Sequence, residues 1–502
     1  MMSSPDIPII QAVQKYAGKM NKHFIGGKFV SGKGRDNIVS VNPSNGTPFA
    51  EIQAGNVNDI DTAVQNAHEC FENVWSKVPP HEREKVIRKI SAKLEENMDF
   101  ISALDALDAG LVYSTLRTMG KAMLIEAVDY YSGWPTKFAG QSFAPAPRLQ
   151  TPGRTTSLST IYNPIGVVGC IVPWNAPSTF AIIKAIPALA AGCTVVLKPA
   201  EKSPISALYL AELFREAGLP EGAFNVVNGY GEEAGAALVN HPLVRKISFT
   251  GSTAVGKAIA ASAAKTLKHL TLELGGKSPF IVLKDADLDT AAMTACMSGY
   301  FLSGQFCMCP SKLYVEETIQ DAFFEKMTNI ASTLQVGDSF AETTMMGPVI
   351  TQSDRDRVAG IVSQAKNDGA EIIYGGNIIE GEGHYYEPTL VTSRDAGSAM
   401  AQDEIFGPVM LSIPFNQDNI DDLIQSANNV RYGLAASVWT NNLSLGHRIA
   451  SHLQAGIVGI NDHATIDPTV PFGGIKDSGI GREFGEAGYK SFLEMKTLSV
   501  CY

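Results

Sequence analysis

The sequence predicts an α/β protein of more than one domain, and three observations carry that prediction. Between residues 165 and 273, short apolar β-branched runs alternate with helical stretches. That is the pattern of βαβ units forming a parallel sheet covered on both faces. A second α/β pattern runs from Ser278 to about Ile475. The chain's 502 residues also exceed what one hydrophobic core encloses, so two or three domains are expected.

In chain order, residues 23–30 read as a hairpin turning at Gly26-Gly27. Asn58-Asp59 opens an amphipathic helix, Pro79-Pro80 punctuates it, and a charge-rich helix follows from His81 to about Met98. Residues 138–154 turn to Pro, Gly, Ala and Ser without apolar periodicity, which reads as an exposed excursion or linker. Residues 166–172 form a strand, followed by a helical stretch to Ala191 and a strand over 194–198. Ser203-Pro204 offers an N-cap and a first-turn proline. Leu210, Leu213, Phe214 and Ala217 share a helical face that Gly218 and Pro220 terminate. Strands over 224–228, 246–250 and 270–273 alternate with helices over 232–240 and from Thr253 to about Lys265. The second pattern has apolar runs at 279–283, 312–315 and 409–413, and the tail from Gly481 is charged, then strand-like over 497–502.

Hydrophobic content of 45% and charged content of 18% are those of an ordinary globular protein. A net charge of −11 and a pI near 5.4 argue against nucleic-acid or anionic-membrane partners. Seven scattered cysteines suit reduced thiols in a reducing compartment. Residues 1–20 lack the basic-then-apolar layout of a secretory signal and lack arginine, and the apolar run 181–197 is interrupted by Lys184 and Pro187. A cytoplasmic location is expected. No metal is expected either, since Cys307-Met308-Cys309 has no second Cys/His pair at ligand spacing.

Ligands of parallel sheets bind at the carboxyl ends of the strands, where Asn175, Lys198, Gly229, Gly251 and Glu273 all fall. The run from Gly229 through Gly231 to Gly235 has one residue too many for a Gly-x-Gly-x-x-Gly fingerprint. Thr250-Gly251-Ser252 offers backbone N–H groups to a phosphate, or is a capped turn and no more. Lys198 and Glu201 could hold ribose hydroxyls, or form a solvated pair; a carboxylate there disfavours a 2′-phosphate. Asn175 is a local cap or an oxyanion donor. Glu273 at an apolar strand end suits a general base of raised pKa. Cys307 alone reads as a buried small hydrophobe.

Seven segments change that reading by appearing together. They are Pro173-Trp174-Asn175, Lys198-Pro199-Ala200-Glu201, Phe249-Thr250-Gly251-Ser252-Thr253, Leu272-Glu273-Leu274-Gly275-Gly276-Lys277, Gly304-Gln305-Phe306-Cys307, Glu404-Ile405-Phe406-Gly407-Pro408 and Pro471-Phe472-Gly473-Gly474. In this order they resemble the NAD(P)-dependent aldehyde dehydrogenase superfamily over nearly the whole chain. The resemblance implies a Rossmann-like NAD-binding domain (1–141 and 161–274), a second α/β catalytic domain (275–480) and a small β oligomerisation element (142–160 and 481–502). It implies that Cys307 attacks an aldehyde, that Asn175 and the Cys307 N–H hold the oxyanion, and that Glu273 activates water to hydrolyse the thioester. A CoA-acylating relative would commonly lack that carboxylate. Lys198 and Glu201 would hold the adenosine ribose, Gly251 and Ser252 the pyrophosphate region, Lys184 the nicotinamide ribose, and Glu404 with Phe406 the nicotinamide half. Ile171, Pro173, Trp174, Gly231, Gly235, Thr250, Val255 and Leu274 complete the cofactor set. NAD is favoured over NADP. Phe180, Phe301, Phe306, Met308, Ile466 and Phe472 match substrate-tunnel positions. Without a tunnel arginine they imply an apolar aldehyde, aromatic or medium-chain aliphatic. Homodimers or homotetramers are usual; a tetramer is expected here.

Overall fold

Five short strands form the parallel centre of an eight-stranded sheet, in the order His269–Glu273, Val244–Thr250, Val167–Ile171, Thr194–Lys198, Phe224–Val226. Antiparallel Gly479–Ile480 closes one edge, and the hairpin Lys22–Ile25 with Lys28–Ser31 closes the other. The computed structural model describes residues 7–20, 22–34, 36–416, 419–463 and 465–502, so the first six residues of the leader reading lie outside them. Every residue of the three strands Val167–Ile171, Thr194–Lys198 and Phe224–Val226 is buried, as a sheet covered on both faces requires. From Val167–Ile171 the chain winds outward through Thr194–Lys198 and Phe224–Val226. It then returns to place Val244–Thr250 on the first strand's other side, so the winding reverses between those two neighbours. That is where ligands of such sheets bind.

A seven-stranded sheet follows, ordered Glu371–Tyr374, Thr389–Thr392, Val409–Phe415, Lys312–Glu316, Pro279–Val282, Ala435–Trp439, Ile457–Ile460, with only the first antiparallel to its neighbour. Glu273 ends a strand of the first sheet and Pro279 begins one of the second. The residues between therefore carry the chain from the carboxyl end of one sheet to the amino end of the other.

Three expectations are corrected. The 138–154 stretch is largely strand: Ser142–Arg148 pairs with Thr151–Pro164, which pairs in turn with Leu493–Cys501 in a separate antiparallel sheet. Its polar composition follows from lying outside the core, in a small sheet of its own. The helix expected to stop near Met98 runs Pro80–Ala109 and ends at Gly110 in the left-handed region (φ 72°). Its last nine residues are all buried, Asp105 and Asp108 among them, so packing and not charge sets its length. Ser203 does not cap the next helix, Ile205–Glu216. Asp108 Oδ2 accepts from the Ile205 N–H at 2.9 Å instead.

Candidate active site

The Gly304-Gln305-Phe306-Cys307 segment is held in an uncommon backbone. Leu302 (φ 48°), Ser303 (φ 58°) and Gly304 (φ 68°) are consecutive left-handed residues, a conformation that costs a non-glycine about 1 kcal/mol or more and persists only where surroundings enforce it. Here Ser303 Oγ donates to the Gly347 carbonyl at 2.8 Å, and Gln305 Oε1 accepts from the Ile350 N–H at 2.9 Å. A Cβ at Gly304 would stand 2.0 Å from the Gly407 carbonyl oxygen, so no larger residue fits. Cys307 and Met308 then form the corner of a turn closed by the Cys309 N–H on the Phe306 carbonyl at 2.9 Å.

Two strand ends of the first sheet converge on this turn. Asn175, four residues past Val167–Ile171 and 3% exposed, donates from Nδ2 to the Gln305 carbonyl at 2.9 Å. One amide hydrogen is thereby used and the second remains for another acceptor. The helix that begins beside Asn175, Pro177–Ala191, is anchored by Asp105, which accepts from the Ser178 N–H and hydroxyl and from the Ser206 hydroxyl. From the other side, Gly276 lies against the turn so closely that a Cβ would be 2.3 Å from the Cys307 carbonyl oxygen.

Glu273 is 3% exposed, and neither carboxylate oxygen has a direct hydrogen-bond partner among the described residues. Burial first, and Glu483 second, hold its pKa well above the ordinary value, while Lys184, Arg482 and the Gly474 N–H pull the other way. Burial likewise pushes the Cys307 thiol up, with the Glu404 and Glu273 carboxylates adding to the rise and the Met308 and Cys307 N–H groups opposing it. The Glu273 carboxylate thus acts on the thiol electrostatically.

The expected cofactor residues divide. Ser252 caps the helix Thr253–Ala264 through Val255 N at 3.4 Å, Thr250 Oγ1 is buried without a partner among the described residues, and Val255 is 48% exposed beside them. Gly231 faces open space, and the extra residue before Gly235 is absorbed in a π-helical turn, Gly231–Gly235. Lys198 ends its strand, 2% exposed, with Nζ on the Pro199 carbonyl at 2.8 Å and 3.5 Å from Glu201. Ile171 ends its own strand, and Trp174 stands edge-on to Phe406 at 5.4 Å. Pro173 is partly exposed between them, and Leu274 N–H is held by the Ser478 carbonyl. Two of the expected residues are bonded within the protein. Lys184 has no exposed surface and is bonded to Glu483 and to Ser248 Oγ, so it belongs to the buried charge cluster behind Glu273. Glu404 accepts from the Gly276 N–H at 3.0 Å, and burial raises it to about 7.

Of the tunnel residues, Phe180, Phe306, Ile466 and Phe472 share one apolar cluster with Cys307, and Phe301 meets Phe306 edge-on at 5.7 Å. Met308 is the correction: it is 0% exposed, and a side chain without accessible surface lines no open channel. No cluster of three metal-ligating side chains occurs among the described residues, and none of their helices is long and apolar enough to cross a membrane.

The sequence matches the aldehyde dehydrogenase family profile over residues 29–498. The chain belongs to the aldehyde dehydrogenase family. It is 39% identical over 483 residues to phenylacetaldehyde dehydrogenase of Pseudomonas fluorescens, covering 95% of each chain. It is also 39% identical over 481 residues to the mitochondrial benzaldehyde dehydrogenase of Antirrhinum majus, covering 95% of this chain and 88% of that one. An NAD+ complex of aldehyde dehydrogenase from Bacillus cereus superposes with a TM-score of 0.93 at 38% identity, covering 97% and 98% of the two chains. For an aldehyde dehydrogenase read from sequence, the residues missed are Asp105, Glu483 and Arg482. Their signal was weak: two aspartates on an otherwise apolar helical stretch, and an Arg-Glu pair in a tail read simply as charged.

Proposed function

We propose that this aldehyde dehydrogenase oxidises an apolar aldehyde, aromatic or medium-chain aliphatic, to the carboxylic acid with NAD. The observation that carries the reading is the approach of Asn175, Cys307 and Glu273 from three separate segments, with Asn175 bonded to the turn that bears Cys307 and the Glu273 carboxylate acting on its thiol. Cys307 gives its proton to solvent and its sulfur bonds to the aldehyde carbon, whose carbonyl electron pair passes to the oxygen. The free Asn175 amide hydrogen and the Cys307 N–H then hold the resulting oxyanion. The chain's residues fit NAD: exposed Val255 beside the Ser252-capped turn, the open space at Gly231 and the Lys198–Glu201 pair would hold its adenosine half, with Phe406 and Trp174 nearer the nicotinamide. NAD, when bound, would supply the hydride acceptor, and its positive charge would oppose the rise that burial imposes on the Cys307 thiol. Glu273 next takes a proton from water, which adds to the thioester carbon and releases acid and free Cys307. The buried Lys184–Glu483 pair gives that proton a path away.

The aromatic cluster around Cys307 favours an apolar substrate, and two relatives named for phenylacetaldehyde and benzaldehyde support it. Glu201, 42% exposed at its strand end, favours NAD over a 2′-phosphorylated cofactor. The exposed apolar residues of the tail strand, Met495, Leu498 and Val500, suit a homo-oligomer, with a tetramer proposed. The test is NADH formation from phenylacetaldehyde, benzaldehyde, hexanal and succinic semialdehyde with NAD or NADP, using Cys307→Ala as the control. The expected result is highest kcat/KM for the first three with NAD and none in the variant. Activity surviving Cys307→Ala overturns the mechanism; preference for succinic semialdehyde overturns the substrate class.

A further inference from the structure

The segment between the last strand of the second sheet and Phe472 carries His463, 6% exposed, whose imidazole bridges two distant parts of the chain. Its Nδ1 is 2.9 Å from Ser437 Oγ and its Nε2 is 2.9 Å from the carbonyl oxygen of Met308, the second corner residue of the nucleophile turn. The proton positions follow from the two ends of the chain of bonds. Trp439 Nε1–H can only donate, and it stands 3.4 Å from Ser437 Oγ; the Met308 carbonyl can only accept. Ser437 therefore accepts from Trp439 and gives its hydroxyl hydrogen to His463 Nδ1, and Nε2–H is left to donate to Met308. Trp439 and Ser437 lie on the strand Ala435–Trp439, between Pro279–Val282 and Ile457–Ile460 of the second sheet, and the His463 ring packs on Phe280 at 5.5 Å. Burial pushes the imidazole down to about 4, so at neutral pH it stays neutral and keeps its single donor.

The carbonyls of the turn can be followed one by one. Gln305 is held by Asn175, Phe306 by the Cys309 N–H, and Cys307 is covered by Gly276. The Met308 carbonyl is the one held from the second sheet. We propose that the Trp439–Ser437–His463 chain positions the nucleophile, with His463 acting as a positioning residue that fixes the turn bearing Cys307 through the Met308 carbonyl. This rests on Cys307 being the nucleophile. Without the Nε2 donor that carbonyl is buried and unpaired, and the turn is free to rotate the Cys307 thiol and N–H away from the position they share with Asn175.

The experiment uses the full-length protein with NAD and phenylacetaldehyde. It compares His463→Phe, His463→Gln and Ser437→Ala for kcat, KM for NAD, and the pH profile of Cys307 alkylation by iodoacetamide, read by peptide mass. In His463→Phe, kcat is expected to fall about 10- to 100-fold. The KM for NAD should stay near that of the parent, and the alkylation profile should shift. Gln, which places a donor near the Nε2 position, should recover much of the loss. Ser437→Ala, a smaller change that keeps the protein folded, should lower kcat about three- to tenfold in the same direction. Parent-like kcat and alkylation in Ser437→Ala and His463→Phe overturn the proposal, and so do equal losses in the Phe and Gln variants at unchanged Tm. If Cys307→Ala is inactive while the His463 variants match the parent, only the positioning role falls. Activity in Cys307→Ala removes the nucleophile itself.

Discussion

Glu273→Gln separates the two halves of the reaction. The amide keeps the shape of a side chain whose oxygens lack direct partners, so it breaks no hydrogen bond to the protein. It cannot take a proton from water. Loss of a positioned general base costs about 100- to 10,000-fold, equivalent to about 3–5 kcal/mol of barrier. Acylation does not need that step. Rapid mixing with NAD and aldehyde should thus give one NADH per active site, then a steady rate lower by that factor. The parent's pH dependence has a definite sign. Only the carboxylate form works, and burial with Glu483 holds its pKa above the ordinary 4.5, so parent turnover should rise with pH through a midpoint above that value. The folded state also binds this proton more tightly than the unfolded chain. Its contribution to stability is complete below the ordinary pKa and is lost as pH rises through the folded one, at about 1.4 kcal/mol per pH unit. The Gln variant should lose that slope in urea titrations across the same window. A steady rate within about tenfold of the parent, or no burst, would refute the base assignment.

Two further outcomes follow from contacts at the turn. Gly276→Ala drives a methyl to within 2.3 Å of the Cys307 carbonyl oxygen, so kcat should fall about 100-fold with circular dichroism unchanged; parent-like kcat would mean the close approach is not needed. Asp105→Ala removes the acceptor of the Ser178 and Ser206 bonds and should lower stability by about 1–3 kcal/mol in urea, with kcat falling as Asn175 loosens. An unchanged midpoint would show that this helix start does not depend on the carboxylate.

How much of this was legible in sequence depends on how far apart the partners lie. Val167–Ile171 and Thr194–Lys198 were readable because a parallel strand buried on both faces is written as a local apolar run, and His269–Glu273 because its Leu-Thr-Leu stretch is apolar and ends at a carboxylate. The strand-end positions of Asn175, Lys198 and Glu273 came with them. Thr151–Pro164 was not readable as a strand because its partner is the final segment of the chain and its own composition carries no alternation. Thr389–Thr392 and Ile457–Ile460 are four residues each, too short to show a period. The burial of Lys184 against Glu483 and the His463 bond to Met308 each join residues far apart in sequence, for which no local pattern exists. Met308 was misplaced for a related reason: adjacency to Cys307 says nothing about which way the turn points its side chain.

The passage from Glu273 to Pro279 has a consequence for how the protein becomes active. The proposed base and oxyanion donor, Glu273 and Asn175, sit at or just past strand ends of one sheet, while the turn bearing the proposed nucleophile is also braced from the other. Each sheet can form its own hydrogen-bonded ladder without the other, but neither half holds a working set of groups. On refolding, secondary structure should therefore return before catalysis, and the regain of NADH formation would time the closing of the seam between the sheets.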